Sequence, residues 1–169
     1  MKQTKSVAFL GILSSVAIVL SFLEGLLPPL PFLPPGAKAG FSNIVTMFSA
    51  SYLGLTPSLS ICLVKSLFVL TTRGVTAFCM SFAGGLLSTL LMWLCFRIRL
   101  SLVITGIAGA IAHNTAQLLV AMVLTQTPHL FSYYPFLLLF AIIAGTITGL
   151  VLHFLYPSLC RVGNHFKLS

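Results

Sequence analysis

His113, Asn114 and Gln117 fall within five positions of one another in "GAIAHNTAQLL", residues 109–119, a stretch that is otherwise apolar. An imidazole and two carboxamides can each donate and accept hydrogen bonds, which suits reversible recognition of a polar group better than nucleophilic chemistry. Wound as a helix at about 100° per residue, the three side chains share one face with Gly106, Gly109 and Ala110. Ile104, Ile107, Ile111, Leu118 and Met122 take the other side. This predicts a helix with its bulk toward lipid and a polar, glycine-lightened face toward the interior of a bundle. A polar group left unsatisfied in hydrocarbon costs several kcal/mol, so the trio must meet neighbouring helices, water or a ligand. Interhelical hydrogen bonding would satisfy a lone polar residue, whereas three on a face opened by two glycines favour a ligand pocket. The histidine also brings a group that titrates near neutrality.

Two ionisable residues join the trio as candidates. Lys65 falls inside an apolar run, and an intramembrane charge is by default a functional-site hypothesis. Glu24 lies toward the end of the first apolar run. The two can pair, or Lys65 can snorkel. In "PPGAKAGFSN", residues 34–43, glycines and Lys38 precede a Ser42 or Asn43 helix cap. Backbone N–H groups at such a helix start, with a lysine beside them, suit an anionic or carbonyl-bearing ligand. Ordinary capping explains the same residues.

Several chemistries are excluded. Glu24 is the single acidic residue, so the aspartate-rich magnesium site of a prenyl diphosphate synthase cannot be built from this chain. No P-loop, GxSxG or HExxH pattern occurs, and any ATP hydrolysis would belong to a partner. Cys62, Cys79, Cys95 and Cys160 lie far apart among apolar neighbours and read as packing residues; no metal site or cofactor is expected.

The elements that must position these residues follow from composition. Of 169 residues, 58% are hydrophobic and 6% charged, and the mean hydropathy is +1.11, which defines an all-α integral membrane protein. Apolar runs bounded by Gly, Pro and charge predict six transmembrane helices in a single domain, at about 6–27, 41–55, 58–72, 75–96, 101–125 and 132–156. The second and third are short, and Pro57 suits a helix start. With both termini cytoplasmic, Lys2, Lys5, Arg97, Arg99, Arg161 and Lys167 lie inside, against Lys38 and Arg73 outside. The positive charge is therefore topological, and nucleic acid is not an expected partner. Lys2 and Lys5 before an apolar run, with "AKA" at 37–39, imitate a signal peptide, but the run is long enough to span and is expected to be retained. Prolines make residues 28–40 a stiff outer loop that suits either a lid or a spacer. Small residues at packing spacing, Gly145 with Gly149, Gly84 or Gly85 with Ser88, and Ala8 with Gly11 and Ser15, predict close helix approach within the bundle or against a partner.

The order of Glu24, the proline-rich loop, "PPGAKAGFSN", Lys65, "SFAGGLLS" and "HNTAQL" resembles the family labelled heptaprenyl diphosphate synthase component I, also called the Gx transporter family, over about residues 20–155. That family is grouped with the substrate-binding S components of energy-coupling factor (ECF) transporters. The resemblance implies an S-component-like six-helix bundle. It places Lys38, Gly40 and Asn43 in the loop before the second helix, and His113, Asn114 and Gln117 in the fifth, around a ligand taken from outside. An arginine is expected where Lys65 stands and a glycine where Ala116 stands. A lysine there offers a point charge in place of a bidentate fork. S components also carry an alanine stripe on the first helix for the coupling subunit, which Ala8, Gly11 and Ser15 approximate.

The leading expectation is a non-enzymatic S component of an ECF-type importer in the cell membrane. It would take a small vitamin-like or anionic molecule and work with a coupling membrane subunit and two cytosolic ATPases. The alternatives are a non-catalytic membrane subunit of a heptaprenyl diphosphate synthase that binds prenyl lipid, and a structural scaffold without ligand. A flavin, another vitamin or a prenyl phosphate suits the residues alike.

Overall fold

The computed structural model describes residues 2–26 and 40–167. Backbone groups in hydrocarbon must be paired within the chain, and apolar runs of this length accordingly fold as helices. These are α1 (Lys2–Leu26), α2 (Asn43–Tyr52), α3 (Leu55–Arg97), α4 (Leu102–Thr125), a 3-10 helix (Pro128–Tyr133) and α5 (Tyr134–Lys167). Among the described residues, four stretches are long and apolar enough to cross a membrane: Lys5–Leu26, Leu55–Arg97, Leu102–Thr125 and Pro128–Asn164.

As a straight rod, the 43 residues of α3 would reach about 65 Å, twice the hydrocarbon thickness. The helix breaks at Gly74, whose φ of 85° and ψ of −178° belong to a region open essentially to glycine alone. The two arms, 55–73 and 75–97, fold back on one another, so that a Cβ on Gly85 would collide with the Cys62 sulfur. The two helices predicted at 58–72 and 75–96 thus join through one residue. Contacts set the direction of each segment. Phe9 meets Tyr52 and Phe166 at one end, with ring centroids 6.4 and 5.4 Å apart. Glu24 meets Phe41, and Arg73 packs over Gly25, at the other.

Three predicted boundaries move. The helix expected at 41–55 is α2, ten residues long, because 41 and 42 form a turn closed by Asn43 N–H donating to the Gly40 carbonyl at 2.9 Å. At its far end Leu53 and Gly54 both donate to the Ser49 carbonyl. At about 15 Å, α2 is half the hydrocarbon thickness. The last helix was expected to stop at 156, before a proline, yet α5 runs through Pro157 to Lys167. Its final turns are held from outside the helix: the Tyr52 hydroxyl donates to Asn164 Oδ1 at 2.5 Å, and Phe166 stacks on Phe9. Part of the connection predicted between 125 and 132 is helical, in the 3-10 form.

The apolar core gathers at the Phe9 end, from Phe9, Leu13, Val45, Phe48, Ile61 and Leu152 among others. Helices α4 and α5 touch backbone to backbone. A Cβ on Gly106 would lie 2.5 Å from the Gly145 carbonyl oxygen, and one on Gly149 2.6 Å from Val103 Cα. This close approach leaves α4 free to turn its polar face toward α3.

Candidate functional site

Within α4, His113, Asn114 and Gln117 are each 6% exposed, on the face the helical period assigns to the interior. That face extends further round than expected. Leu118 is buried at 4%, and the exposed side is carried by Ile104, Leu119, Val123 and Leu124. Ile107, Ile111 and Met122 are half-buried. Opposite the trio stands Gly84 in the second arm of α3. A Cβ there would lie 2.9 Å from Gln117 Cγ and 3.0 Å from both His113 Nδ1 and the His113 carbonyl oxygen. The glycine thus makes room for the polar side chains as well as for packing.

Glu24, Gly40, Lys65, His113 and Gln117, drawn from four separate stretches of sequence, line one small polar cavity of about 10 Å³, together with Ser21, Ser42 and Ser81. Lys65 is 2% exposed; its Nζ donates to Asn43 Oδ1 at 3.1 Å and to Ser42 Oγ at 3.3 Å. Glu24, 6% exposed, accepts the Phe41 N–H at 2.6 Å. Among the described residues Glu24 and Lys65 make no direct ion pair; each holds the turn that leads into α2. Gly40 carries the φ of 83° that this turn needs. Ser42 occupies the cap position of α2 without a capping bond, because its hydroxyl receives Lys65 instead. The N–H groups of Phe41, Asn43 and Ile44 are all taken within the protein, so this helix start is occupied by the chain's own partners. Asn43 also lines a neighbouring cavity of about 10 Å³ with Gly40 and Gly109.

Asn114 and Gln117 face a different space. A chamber of about 300 Å³ opens between the second arm of α3, α4, the 3-10 helix and the start of α5. Its walls include Thr76, Met80, Ala121, Leu130 and Leu137, and among the described residues no lining residue is charged. Gln117 lines both the chamber and the polar cavity and so separates them. Among the described residues, neither the Asn114 nor the Gln117 amide has a hydrogen-bond partner in the protein. Both residues line the one chamber.

Lys38 lies outside the described residues. Ala8, Gly11 and Ser15 stand apart from the site, on an exposed face of α1. Sequence reasoning did not assign Ser21, Ser81 or the chamber walls to the site. The "SFAGGLLS" spacing carried a signal for Ser81 and Gly84, whereas Met80 or Leu130 looks the same in sequence whether it faces lipid or a cavity.

Long apolar helices packed into a bundle define a multi-pass membrane protein, with buried polar side chains in its interior. The fold is similar to a solved structure described as the S component of a bacterial ECF transporter. The TM-score is 0.71 at 23% identity, over 95% of this chain and 98% of that one. No curated protein matches. The family model for heptaprenyl diphosphate synthase component I matches residues 13–155, and the chain belongs to that family.

Proposed function

We propose that the chain is the substrate-binding membrane subunit of an ECF-type importer for a small vitamin-like molecule. The observation that carries this reading is the pair of buried amides, Asn114 and Gln117, facing a chamber of about 300 Å³ without partners of their own. Pockets of this size class take small molecules, with a few polar groups fixing orientation. Asn114 and Gln117 hold the substrate directly. His113, Lys65, Gly40 and Asn43 form the polar wall behind them.

In this reading α1, the two arms of α3, α4 and α5 cross the cell membrane, the ten-residue α2 with its flanking turns carries the chain back as the sixth segment, both termini are cytoplasmic, and the chamber opens at the outer side. The exposed Ala8, Gly11 and Ser15 face docks a coupling membrane subunit, which brings two cytosolic ATPases. The likeness to an S component supports this assignment, as does a chain that has no ATP-binding motif of its own.

The family's name favours a second reading, a non-catalytic membrane subunit of a prenyl diphosphate synthase that rests an apolar chain in the same chamber. Native mass spectrometry of the detergent-purified protein separates the two. The importer reading expects a bound small molecule and copurifying ATPases; copurification with an aspartate-rich soluble synthase, and no ATPase, would sink it. The site assignment has its own test. If His113→Ala with Gln117→Ala leaves small-molecule retention unchanged in a folded protein, the site lies elsewhere.

A further inference from the structure

Resting on that reading, we infer that the molecule taken at this site is uncharged, with an amide- or lactam-like edge on a compact apolar body. Asn114 and Gln117 stand three residues apart on one helical face and both line the chamber. Each offers a carbonyl acceptor and two N–H donors. The complement of such a pair is an edge that itself both donates and accepts, as a lactam or primary carboxamide does. A carboxylate or phosphate would satisfy the donors and leave the amide carbonyls facing anionic oxygens.

The walls argue the same way. Met80, Leu118, Ala121, Leu130 and Leu137 are apolar, and among the described residues none that lines the chamber carries charge. An anion placed there would lose hydration without a cation to replace it. The buried cation nearest in the site, Lys65, is already engaged by Ser42 and Asn43. It lines the polar cavity on the other side of Gln117, whose roughly 10 Å³ is about the room of one water. Charge is thereby set behind the amide layer, where it shapes the α2 turn, and kept from the chamber. A chamber of about 300 Å³ is at the small end of the range of roughly 300–1,000 Å³ that holds small-molecule ligands, which suits a one- or two-ring compound better than a long prenyl chain.

The test is isothermal titration of the full chain in lipid nanodiscs with three probes: 2-quinolone, a bicyclic lactam; 2-naphthoate, an anion of similar size; and geranyl diphosphate. The lactam is expected to bind at least about tenfold more tightly than either anion, the scale of one or two matched hydrogen bonds. Asn114→Leu and Gln117→Leu are each expected to weaken it about tenfold. Ala121→Phe, which fills the chamber from an apolar wall and leaves both amides in place, should abolish lactam binding. Val123→Ala, on the exposed side of α4, should leave binding unchanged. Gel filtration and circular dichroism establish that each variant is folded. The inference is overturned if either anion binds as tightly as the lactam, if no probe binds, or if the lactam is held equally by the folded Ala121→Phe protein. Copurification of the coupling subunit and ATPases is scored on the same preparations. A complex that forms without lactam preference overturns the substrate chemistry alone, whereas lactam binding by a chain that never forms the complex supports the chemistry and overturns the importer assignment.

Discussion

Glu24 and Lys65 hold one three-residue stretch from two different helices. Glu24 Oε1 accepts the Phe41 N–H at 2.6 Å, while Lys65 Nζ donates to Ser42 Oγ and Asn43 Oδ1 at 3.3 and 3.1 Å. Opposite charges thus meet through the backbone and side chains of the turn before α2, without direct contact. Both groups are almost wholly buried, at 6% and 2% exposure, so each bond forms where water competes little.

This sharing predicts coupling. Glu24→Leu and Lys65→Met should each lower stability by about 1–3 kcal/mol, since each removes hydrogen bonds, buried or part-buried, that hold residues 41–43. Because both act on the same turn, the double variant should lose about 1 kcal/mol less than the sum. Unfolding of the four proteins in one detergent measures this. Additivity within about 0.5 kcal/mol would show that the two residues do not act on a common element.

Gly74 tests the hairpin in α3 separately. A Cβ there would meet no atom within 4 Å, so steric crowding by neighbours plays no part. Its φ of 85° and ψ of −178° are the difficulty, and Gly74→Ala should lower stability by about 1–3 kcal/mol through backbone strain alone. Gly11→Ala is the matched control, with the same open surroundings but ordinary helical backbone, and should be neutral or slightly stabilising. Equal melting temperatures for the two variants would mean that the arms of α3 are not joined in this conformation.

How far the sequence foretold this structure depends on how local each cause is. Helical runs and the shared face of His113, Asn114 and Gln117 follow from composition and from the 3.6-residue period, which are local properties. The role of Lys65 was open because its acceptors lie 22 and 23 residues away, across a connection whose geometry no spacing reveals. Leu118 was placed toward lipid by its angle on the helix, yet it walls the chamber with Leu137 of α5. Pro157 reads as a stop in sequence, and only the distant Tyr52 and Phe9 explain why α5 continues. The chamber is the least local feature, since its walls come from four elements and its apolar residues carry no mark of what they face.

Gly84 links packing to binding, and its substitution should separate them. In Gly84→Ala the new methyl would stand 2.9 Å from Gln117 Cγ and 3.0 Å from the His113 carbonyl oxygen, one a movable side chain and the other backbone. Helix α4 must therefore shift by a few tenths of an ångström, at a stability cost of about 1–3 kcal/mol. Binding of 2-quinolone should fall by about tenfold or more, because the amide of Gln117 moves with its Cγ. A Gly84→Ala protein with lowered stability and unchanged affinity would place the ligand contacts away from Gln117.

The bundle leaves one face of α1 open. Ala8, Gly11 and Ser15 are exposed, and a Cβ on Gly11 would meet nothing within 4 Å. The Ser15 hydroxyl is turned inward along the helix, donating to the Gly11 carbonyl at 3.0 Å, so the stripe presents little bulk and little free polarity. A shallow stripe of this kind permits close approach of another helix. Lipid gains nothing from it. If a coupling subunit docks here, Gly11→Leu should abolish copurification of that subunit and its ATPases. Affinity for 2-quinolone and the melting temperature should stay unchanged, because the stripe and the chamber lie on different parts of the bundle. Exchanging Val16, an exposed residue at neither three- nor four-residue spacing from the stripe, for Ala should have no effect on either readout. Retention of the partner by Gly11→Leu would remove this face from the interface, while leaving the binding site as argued.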